Sequence, residues 1–344
     1  MKVDNHIVML HMSTLALTGW IELDGRKLTS GEIEKILKSQ SKDIERFGGE
    51  FYFTWDGCRA RDHFGVVPGA CPKGTYQCRS AKGEIIPVAP EMTLDEAIIA
   101  AVNLRSDEGV SALSGGVDST LVAFLAGREC VAVGVKGSHD LAQARKAATM
   151  LGLSCEMVEI TEAEIESALP EVTGIIPRHD PVNTGIAVTQ YFIAQWAGQH
   201  GYQRILTGQG ADEQFGGYSR YLETTDLESD LLRDFAGLEQ QADRDQAVAA
   251  LHGTYLSMPY LDIRVVRAAR AIPASEKVQG GLRKIPLRKV AERHIPAELA
   301  WYGKKAMQYG SGVAKILRTL ARKNGYKTSV QDYIDHISRV EHGH

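Results

Sequence analysis

An aspartate lies within a glycine- and serine-rich turn at residues 114–119, with the sequence SGGVDS. The apolar residues 110–113 predict a buried strand before the turn, and the apolar segment after it predicts a helix that begins near Ser119. Glycine N–H groups, serine hydroxyls and a helix N-terminus together favour anion binding. Since a carboxylate repels phosphate, Asp118 is explained by a divalent cation lying between the two. The turn predicts a pyrophosphate and metal site, distinct from the Walker loop and its lysine.

A second aspartate follows another predicted strand, residues 204–207. The next segment, residues 208–213, has the sequence GQGADE, so a Gly-x-Gly turn again frees the backbone and Asp212 again supplies a carboxylate. Two strand-end aspartates can share one Mg²⁺ on a triphosphate. Asp118 and Asp212 are therefore the predicted metal ligands.

These two segments, together with PYLD at residues 259–262, resemble the synthetase domain of the asparagine synthetases and of their relative β-lactam synthetase. The resemblance runs in the family's order over residues 93–320. It implies an adenine nucleotide alpha hydrolase-like ATP-pyrophosphatase fold with ATP and Mg²⁺ as cofactors. It further implies that a carboxylate becomes an acyl-adenylate, with release of pyrophosphate, before ammonia or an amine forms the amide.

Site residues follow from the turns and from the resemblance. The resemblance implies that the end of the predicted strand 130–135 receives adenine. It also implies that Lys304, in the loop at residues 302–312, stabilises charge on the acyl-adenylate, and that Lys284 is a second catalytic lysine. The residues predicted to bind nucleotide are Ser114, Gly115, Gly116, Asp118, Ser119, Val133, Gly134, Gly208 and Gly210.

The acceptor half of the site departs from the family pattern. Gln209 stands where the asparagine synthetases carry glutamate, and a neutral amide cannot act as a general base. β-Lactam synthetase resembles the family but has tyrosine there, so this position follows the nucleophile chemistry, and we include Gln209 among the catalytic positions. Residues 255–257 replace the family's Glu-x-Arg, and Tyr302 replaces the leading arginine of the lysine loop. The ATP half is thus predicted to be intact, while aspartate as the substrate is in question.

Residues 1–90 predict a separate β-rich unit. Aromatic residues alternate with small or polar ones over residues 48–55, and an Asp-Gly turn follows. Together with residues 61–68, this stretch resembles part of the family's glutaminase domain. The family nucleophile is a cysteine after the initiator methionine, but here residue 2 is Lys2 and the first cysteine is Cys58. We expect a degenerate domain that does not hydrolyse glutamine and that serves as a structural layer or a homodimer surface.

Residues 91–344 predict an α/β domain with a doubly wound parallel sheet and a helical C-terminal segment from residue 222 onward. Strands alternate with helices from residue 110 to residue 207, which is typical of parallel sheets. Thr93 and Glu96 predict a capping box at the start of the first helix. The apolar face predicted for that helix consists of Leu94, Ala97, Ile98, Ala101 and Val102.

Composition limits the class of protein. The 344 residues are 44% hydrophobic with a net charge of −4, which argues against a nucleic-acid partner and favours small-molecule partners. No apolar run reaches 18 residues, so no membrane span is expected. Five scattered cysteines, without a secretory signal, predict a cytoplasmic protein. Residues 264–323 contain 15 Lys and Arg against 3 Asp and Glu, which suits solvated helix faces or a segment that covers ATP and pyrophosphate.

Two other functions remain open from the sequence. A tRNA-modifying enzyme is one, because related pyrophosphatase domains activate tRNA bases and the C-terminal segment is locally basic; the acidic overall balance argues against it. A nucleotide-binding protein without catalysis is the other, motivated by Gln209 and the degenerate N-terminal unit. Retention of both aspartates and Lys304 argues against this alternative.

Overall fold

A computed structural model describes residues 14–303 and 307–341. The chain divides between Pro87 and Val88 into two compact units, which we call unit 1 and unit 2. Each unit contains its own sheet, antiparallel in unit 1 and parallel in unit 2. The α/β class and the small β-rich N-terminal part predicted from the sequence are confirmed.

Unit 1 is a six-stranded antiparallel sheet in the order β2-β1-β3-β4-β5-β6. Its strands are β1 Ala16–Leu23, β2 Arg26–Lys27, β3 Gly48–Trp55, β4 Cys58–Arg61, β5 Thr75–Gln77 and β6 Lys82–Glu84, with helix α1 at Ser30–Lys38. Asp56 and Gly57 connect β3 to β4 with left-handed φ values of 43° and 74°, which suit a tight hairpin. Phe51 and Phe53 are fully buried against Ile33 of α1, because alternate residues of β3 share one face.

Unit 2 is built on a five-stranded parallel sheet in the order β11-β10-β7-β8-β9. The strands are β7 Val110–Ala112, β8 Cys130–Val135, β9 Cys155–Ile160, β10 Arg204–Leu206 and β11 Tyr255–Ser257. Strands buried on both faces are nearly continuously apolar, as β8 is. From β7 the chain adds β8 and then β9 on one side of the sheet. It then returns to the other side of β7, where it adds β10 and β11. Right-handed crossovers then require helices on both faces, which makes the sheet doubly wound.

The helices of unit 2 fill the connections and form the C-terminal segment. They are α2 Leu94–Asn103, α3 Val117–Ala126, α4 His139–Leu151, α5 Glu162–Ile175, α6 Pro181–Gln199, α7 Ala211–Phe215, α8 Leu227–Ala236, α9 Leu238–Ala250, α10 Ile263–Arg270, α11 Ala274–Lys277, α12 Ile285–Ala291, α13 Ala297–Ala300, α14 Met307–Gly310, α15 Val313–Lys323 and α16 Val330–Glu341. In the described ranges, no helix has the length and apolar character to cross a membrane.

Helix α2 shows how closely local sequence specifies local structure. The side chain of Thr93 accepts a hydrogen bond from the Glu96 N–H, and the Glu96 carboxylate accepts one from the Thr93 N–H at 2.9 Å. The predicted capping box is therefore confirmed. The buried residues of the helix are the predicted ones: Leu94, Ala97, Ile98, Ala101 and Val102.

One element of the C-terminal segment was wrongly predicted as helical. Residues 255–257 form strand β11, which pairs in parallel with β10 at the edge of the sheet. Three residues are too few to display a helical or strand period, so tertiary pairing decides the conformation.

The aspartate of the PYLD segment is held in a buried ion cluster. The Asp262 carboxylate accepts hydrogen bonds from Arg105 and Arg264 at 2.9 Å, and all three side chains are at most 4% exposed. Burial raises the pKa of Asp262, but the two guanidinium groups lower it further, so the net pKa is below the ordinary value. The cluster ties the end of α2 to the start of α10.

We expect Asp262→Asn to lower the free energy of unfolding by about 3 kcal/mol at pH 7, because two buried guanidinium groups lose their counter-charge. Since the folded pKa is depressed, this stabilisation is present above the unfolded pKa, near 4, and is lost as the pH falls below it. Urea denaturation of both proteins at pH 7 and in acid measures the difference, which should shrink in acid. Glu162→Gln, which breaks the surface pair with Lys323, is the control and should change little. Equal stability of Asp262→Asn and wild type at pH 7 would contradict the expectation.

Candidate functional site

The loops after β7 and β10 meet at the point where the strand order reverses. These strands are direct neighbours, with Val110 opposite Ile205, and their carboxyl ends open into the crevice where doubly wound sheets bind ligands. Gly208 packs directly on the other loop. A Cβ atom there would lie 2.8 Å from the Ser119 nitrogen and 2.9 Å from the Asp118 Cβ. Only glycine permits this contact between the loops.

The turn at residues 114–119 is fixed by its own side chains. The Ser119 hydroxyl accepts a hydrogen bond from the Ser114 N–H at 3.1 Å and lies 2.8 Å from the Ser114 hydroxyl. Gly115 has a left-handed φ of 75°, which a residue with a side chain adopts with strain. Gly116 is the N-cap of α3, which here has no side-chain hydrogen bond. The first N–H groups of α3 are therefore not capped by a side chain and suit an anion.

The two predicted metal ligands come together, with a lysine between them. Lys284 Nζ lies 2.5 Å from Asp118 Oδ2 and 2.7 Å from Asp212 Oδ1. Burial disfavours the charged lysine, but the two carboxylates raise the pKa of Lys284 above its ordinary value. Asp118 Oδ1 is buried without a hydrogen-bond partner.

This donor set fits a magnesium ion that a nucleotide also ligates. Two carboxylates are typical of protein Mg²⁺ sites, in which phosphate oxygens and water supply the other ligands. Among the described residues, no cluster of three or more His, Cys, Asp and Glu could hold a metal ion without a nucleotide.

The PYLD segment, residues 259–262, packs against the backbone that carries Asp118. The Tyr260 hydroxyl donates a hydrogen bond to the Asp118 carbonyl oxygen at 3.1 Å, and the Gln214 side-chain amide donates to the Tyr260 carbonyl oxygen. Tyr260 is fully buried, so its ring fixes the backbone that carries Asp118. The sequence identified PYLD through the resemblance alone; its role as a support becomes visible only in the structure.

Gln209 begins a chain of polar contacts in the part of the cavity predicted to hold the acceptor. Its amide nitrogen donates to Asp245 Oδ2, and its carbonyl oxygen accepts from the Thr207 hydroxyl at 3.2 Å. Asp245 is fully buried and also accepts from Arg244 at 2.7 and 2.9 Å. Arg244 in turn donates to the Asn183 side-chain oxygen at 2.5 Å. Asp245 is therefore a fully engaged carboxylate, and the sequence had indicated no role for it in the site.

A buried acid follows Asp212, one of the two predicted metal ligands. Glu213 is 3% exposed, and burial together with the charge of Asp212 raises its pKa above the ordinary value. Tyr218 and Gln241 donate hydrogen bonds to Glu213 Oε1, the latter at 3.0 Å. These contacts fix the turn that follows Asp212.

Four described residues of the lysine loop line the same cavity as the aspartates: Tyr302, Met307, Gln308 and Tyr309. Arg288 donates hydrogen bonds to the carbonyl oxygens of Ala300, at 2.8 Å, and Tyr302, at 3.0 Å. The Tyr302 hydroxyl lies 2.6 Å from His139 Nε2, and the two rings stack. The sequence had assigned no role in the site to His139 or Arg288. Lys304, the predicted catalytic lysine, lies outside the described residues.

One cavity of about 1320 Å³ contains most of the predicted site residues that the structure describes. Those that line it are Ser114, Asp118, Ser119, Val133, Gly208, Gln209, Asp212 and Lys284. Gly115, Gly116, Gly134 and Gly210 are not among the lining residues. Gly134 packs against Ser138 and the Ser311 carbonyl oxygen. The volume exceeds the usual size of about 300–1000 Å³ for a small-molecule site, so it offers room for a nucleotide and a second substrate.

Comparison with known proteins identifies the family. The family model described as asparagine synthase matches residues 93–246 and 226–336. The chain belongs to the asparagine synthase family. The matched segments contain both aspartates, Gln209 and Lys284, so every cavity-lining residue predicted from the sequence falls within the family domain.

The curated relatives are longer than this chain. A Methanocaldococcus jannaschii protein assigned as a glutamine-hydrolysing asparagine synthetase is 33% identical over 270 residues, covering 66% of this chain and 50% of the relative. Asparagine synthetase B (glutamine-hydrolysing) of Escherichia coli is 26% identical over 230 residues, covering 59% of this chain and 41% of the relative. The chain thus spans about half the length, or less, of these relatives.

A solved structure is more distantly similar. The glutamine-dependent NAD⁺ synthetase of Acinetobacter baumannii, in complex with ADP, is 12% identical and covers 86% of this chain and 55% of that chain. Its TM-score is 0.32.

Proposed function

We propose that this chain is an ATP-dependent ligase that activates a carboxylate as an acyl-adenylate and transfers the acyl group to ammonia or an amine. AMP and pyrophosphate are the other products. The observation that carries the proposal is the pair Asp118 and Asp212 at the switch point, with a buried Asp118 oxygen lacking a partner inside a cavity large enough for two substrates.

The phosphate end of ATP belongs on the turn at residues 114–119. The uncapped N–H groups of α3 and the hydroxyls of Ser114 and Ser119 face a position where β- and γ-phosphates bind favourably. Asp118 and Asp212 would hold Mg²⁺, which supplies charge neutralisation of the departing pyrophosphate. Val133, which lines the cavity at the end of β8, supports adenine binding at that strand.

Cations surround the reacting phosphate. Lys284 lies between the aspartates, and Arg288 lines the cavity and donates hydrogen bonds to the carbonyl oxygens of Arg283, Ala300 and Tyr302. Burial lowers the pKa of Arg288, while the charge of Asp118 opposes this effect. A guanidinium group paired with carbonyls keeps its charge available for an anionic ligand. Lys304 would add a positive charge at the acyl-adenylate, as the family resemblance implies.

In the predicted acceptor part of the cavity, side chains can form hydrogen bonds with an incoming nucleophile. Neither Gln209 nor Asp245 is a free general base. Gln209 is neutral, and Asp245 is buried and occupied by Arg244 and by the Gln209 amide. Both oxygens of Asp245 thus already accept hydrogen bonds, and a neutral amide such as that of Gln209 cannot act as a general base. The amine must therefore enter as its free base, and nucleophiles with low pKa values are favoured at neutral pH.

We expect the rate of amide formation to rise about tenfold per pH unit below the pKa of the amine, because the free base is the reactive form. Hydroxylamine, a weak base, should then outcompete ammonium at pH 7. In Gln209→Glu, a carboxylate beside Asp245 should have a raised pKa and act as a base near neutrality, which flattens the profile. Gln209→Leu is the control and should keep the steep profile. A wild-type rate that does not depend on amine ionisation would contradict the assignment.

We assign no glutamine hydrolysis to this chain. Cys58 and Cys71 are both buried, and burial raises the pKa of the Cys71 thiol, which disfavours its nucleophilic thiolate. We propose that residues 1–90 form a degenerate glutaminase-like domain and that residues 91–344 form the synthetase domain.

The deciding experiment is ATP–pyrophosphate exchange with the purified chain and Mg²⁺, because it reports adenylate formation without any amine. Aspartate, glutamate and a panel of larger carboxylates are each supplied, with Asp212→Asn as the matched inactive control. Exchange that depends on one carboxylate supports the proposal and identifies that substrate. Amide formation is then measured with ammonium and with glutamine, and we expect glutamine to be inactive.

Two results would overturn the proposal. ATP binding by calorimetry, with no exchange for any carboxylate, would favour the non-catalytic alternative. Exchange dependent on tRNA instead of a small carboxylate would favour the tRNA-modifying alternative.

A further inference from the structure

Lys284 lies where the two aspartates would bind a metal ion. Its Nζ atom bridges Asp118 Oδ2 and Asp212 Oδ1 at 2.5 and 2.7 Å, and its side chain is 9% exposed. An ammonium group and Mg²⁺ both bind carboxylates, and Mg²⁺ requires its ligand oxygen atoms at about 2.1 Å. The two cations would repel each other at such short distances, so the lysine and the metal exclude each other from the position between the two oxygens.

The backbone of Lys284 is fixed, while its side chain reaches the cavity. Lys284 is the N-cap of α12 with a left-handed φ of 58°, and its carbonyl oxygen accepts the Arg288 N–H at 2.9 Å. Leu287, one turn along, is fully buried. The long side chain lines the cavity, so the ammonium group can turn toward a phosphate without any movement of α12.

We propose that Lys284 is a positioning residue that replaces the metal ion in the nucleotide-free protein and prevents free divalent cations from binding. It holds the two carboxylates together and neutralises part of their charge. The triphosphate offers the ammonium group another anionic partner, and the metal enters with the nucleotide. This inference rests on the proposed function, because it takes the aspartates as ligands of a nucleotide-bound metal.

Mn²⁺ binding to the full-length chain tests the order of loading. Electron paramagnetic resonance measures free Mn²⁺ with and without α,β-methylene-ATP, which cannot release pyrophosphate. The wild type should bind Mn²⁺ weakly alone and much more tightly with the nucleotide analogue. Lys284→Met, which keeps the length of the side chain without its charge, should bind Mn²⁺ alone about tenfold or more tightly than the wild type.

Two further variants separate this role from a structural one. Lys284→Arg keeps the positive charge and should keep the weak binding of Mn²⁺ alone. Lys289→Met, an exposed lysine of α12, should match the wild type. Thermal unfolding of each variant establishes that α12 is still folded; if Lys284→Met is unfolded, Lys284→Gln takes its place.

The outcomes are distinct. If folded Lys284→Met binds Mn²⁺ alone no better than the wild type, or if the wild type alone binds it as tightly as with nucleotide, the inference fails. If α,β-methylene-ATP binds to none of the proteins, the proposed function fails, while the comparison of Mn²⁺ alone still tests Lys284.

Discussion

Asp118→Asn and Asp212→Asn are each expected to abolish Mg²⁺-dependent pyrophosphate release. Each change keeps the shape of the side chain but replaces a charged ligand with a neutral amide, which Mg²⁺ binds poorly. The two residues come from loops after different strands and converge on one cation position, so neither carboxylate can replace the other. The expected loss is at least a thousandfold, the order associated with losing electrostatic stabilisation of the departing group.

The measurement is pyrophosphate release with a carboxylate that supports exchange in the wild type, over a range of Mg²⁺ concentrations. Asp332→Asn, an exposed carboxylate at the start of α16, is the control and should retain full activity. Thermal unfolding establishes that the variants are folded, since each one also removes a partner of Lys284. Wild-type turnover by either variant would refute the metal assignment.

Lys304→Ala is expected to lower turnover by about a hundredfold, or about 3 kcal/mol, the scale of one preorganised electrostatic contact. Lys304 lies between Tyr302 and Gln308 in the sequence, and both of these residues line the cavity. A charge that acts on the acyl-adenylate contributes more in the transition state than in bound ATP. ATP affinity should therefore change much less than turnover.

Lys305→Ala is the internal control, because it removes an equal charge one residue away. Turnover and ATP binding are measured separately, the latter by calorimetry. If Lys305→Ala is the damaging change, the alignment of this loop with the family is shifted by one residue. If both variants are fully active, the loop has no catalytic role.

Local sequence determined the elements of this protein. The capping box and apolar face of α2, the apolar strands β7 and β8, and the turns after β7 and β10 all follow from patterns that span a few residues. Such patterns depend on backbone conformation and periodicity, which neighbouring residues fix. Because parallel strands present their carboxyl ends at one edge, the sequence also predicted that Asp118 and Asp212 would meet.

The sequence had placed Lys284 and Gln209 in the site, but only the tertiary structure decided which groups their side chains contact. Lys284 meets Asp118 across 166 residues, Arg105 meets Asp262 across 157, and Gln209 meets Asp245 across 36. No short period relates such pairs, because their meeting depends on how α9, α10 and α12 pack beside the sheet. Strand β11 likewise acquired its conformation from pairing with β10. The sequence by itself thus determined the turns after β7 and β10 and their carboxylates. The position of the Lys284 ammonium group between those carboxylates, and the contacts of Gln209 with Asp245, came from long-range packing, which local residue patterns do not encode.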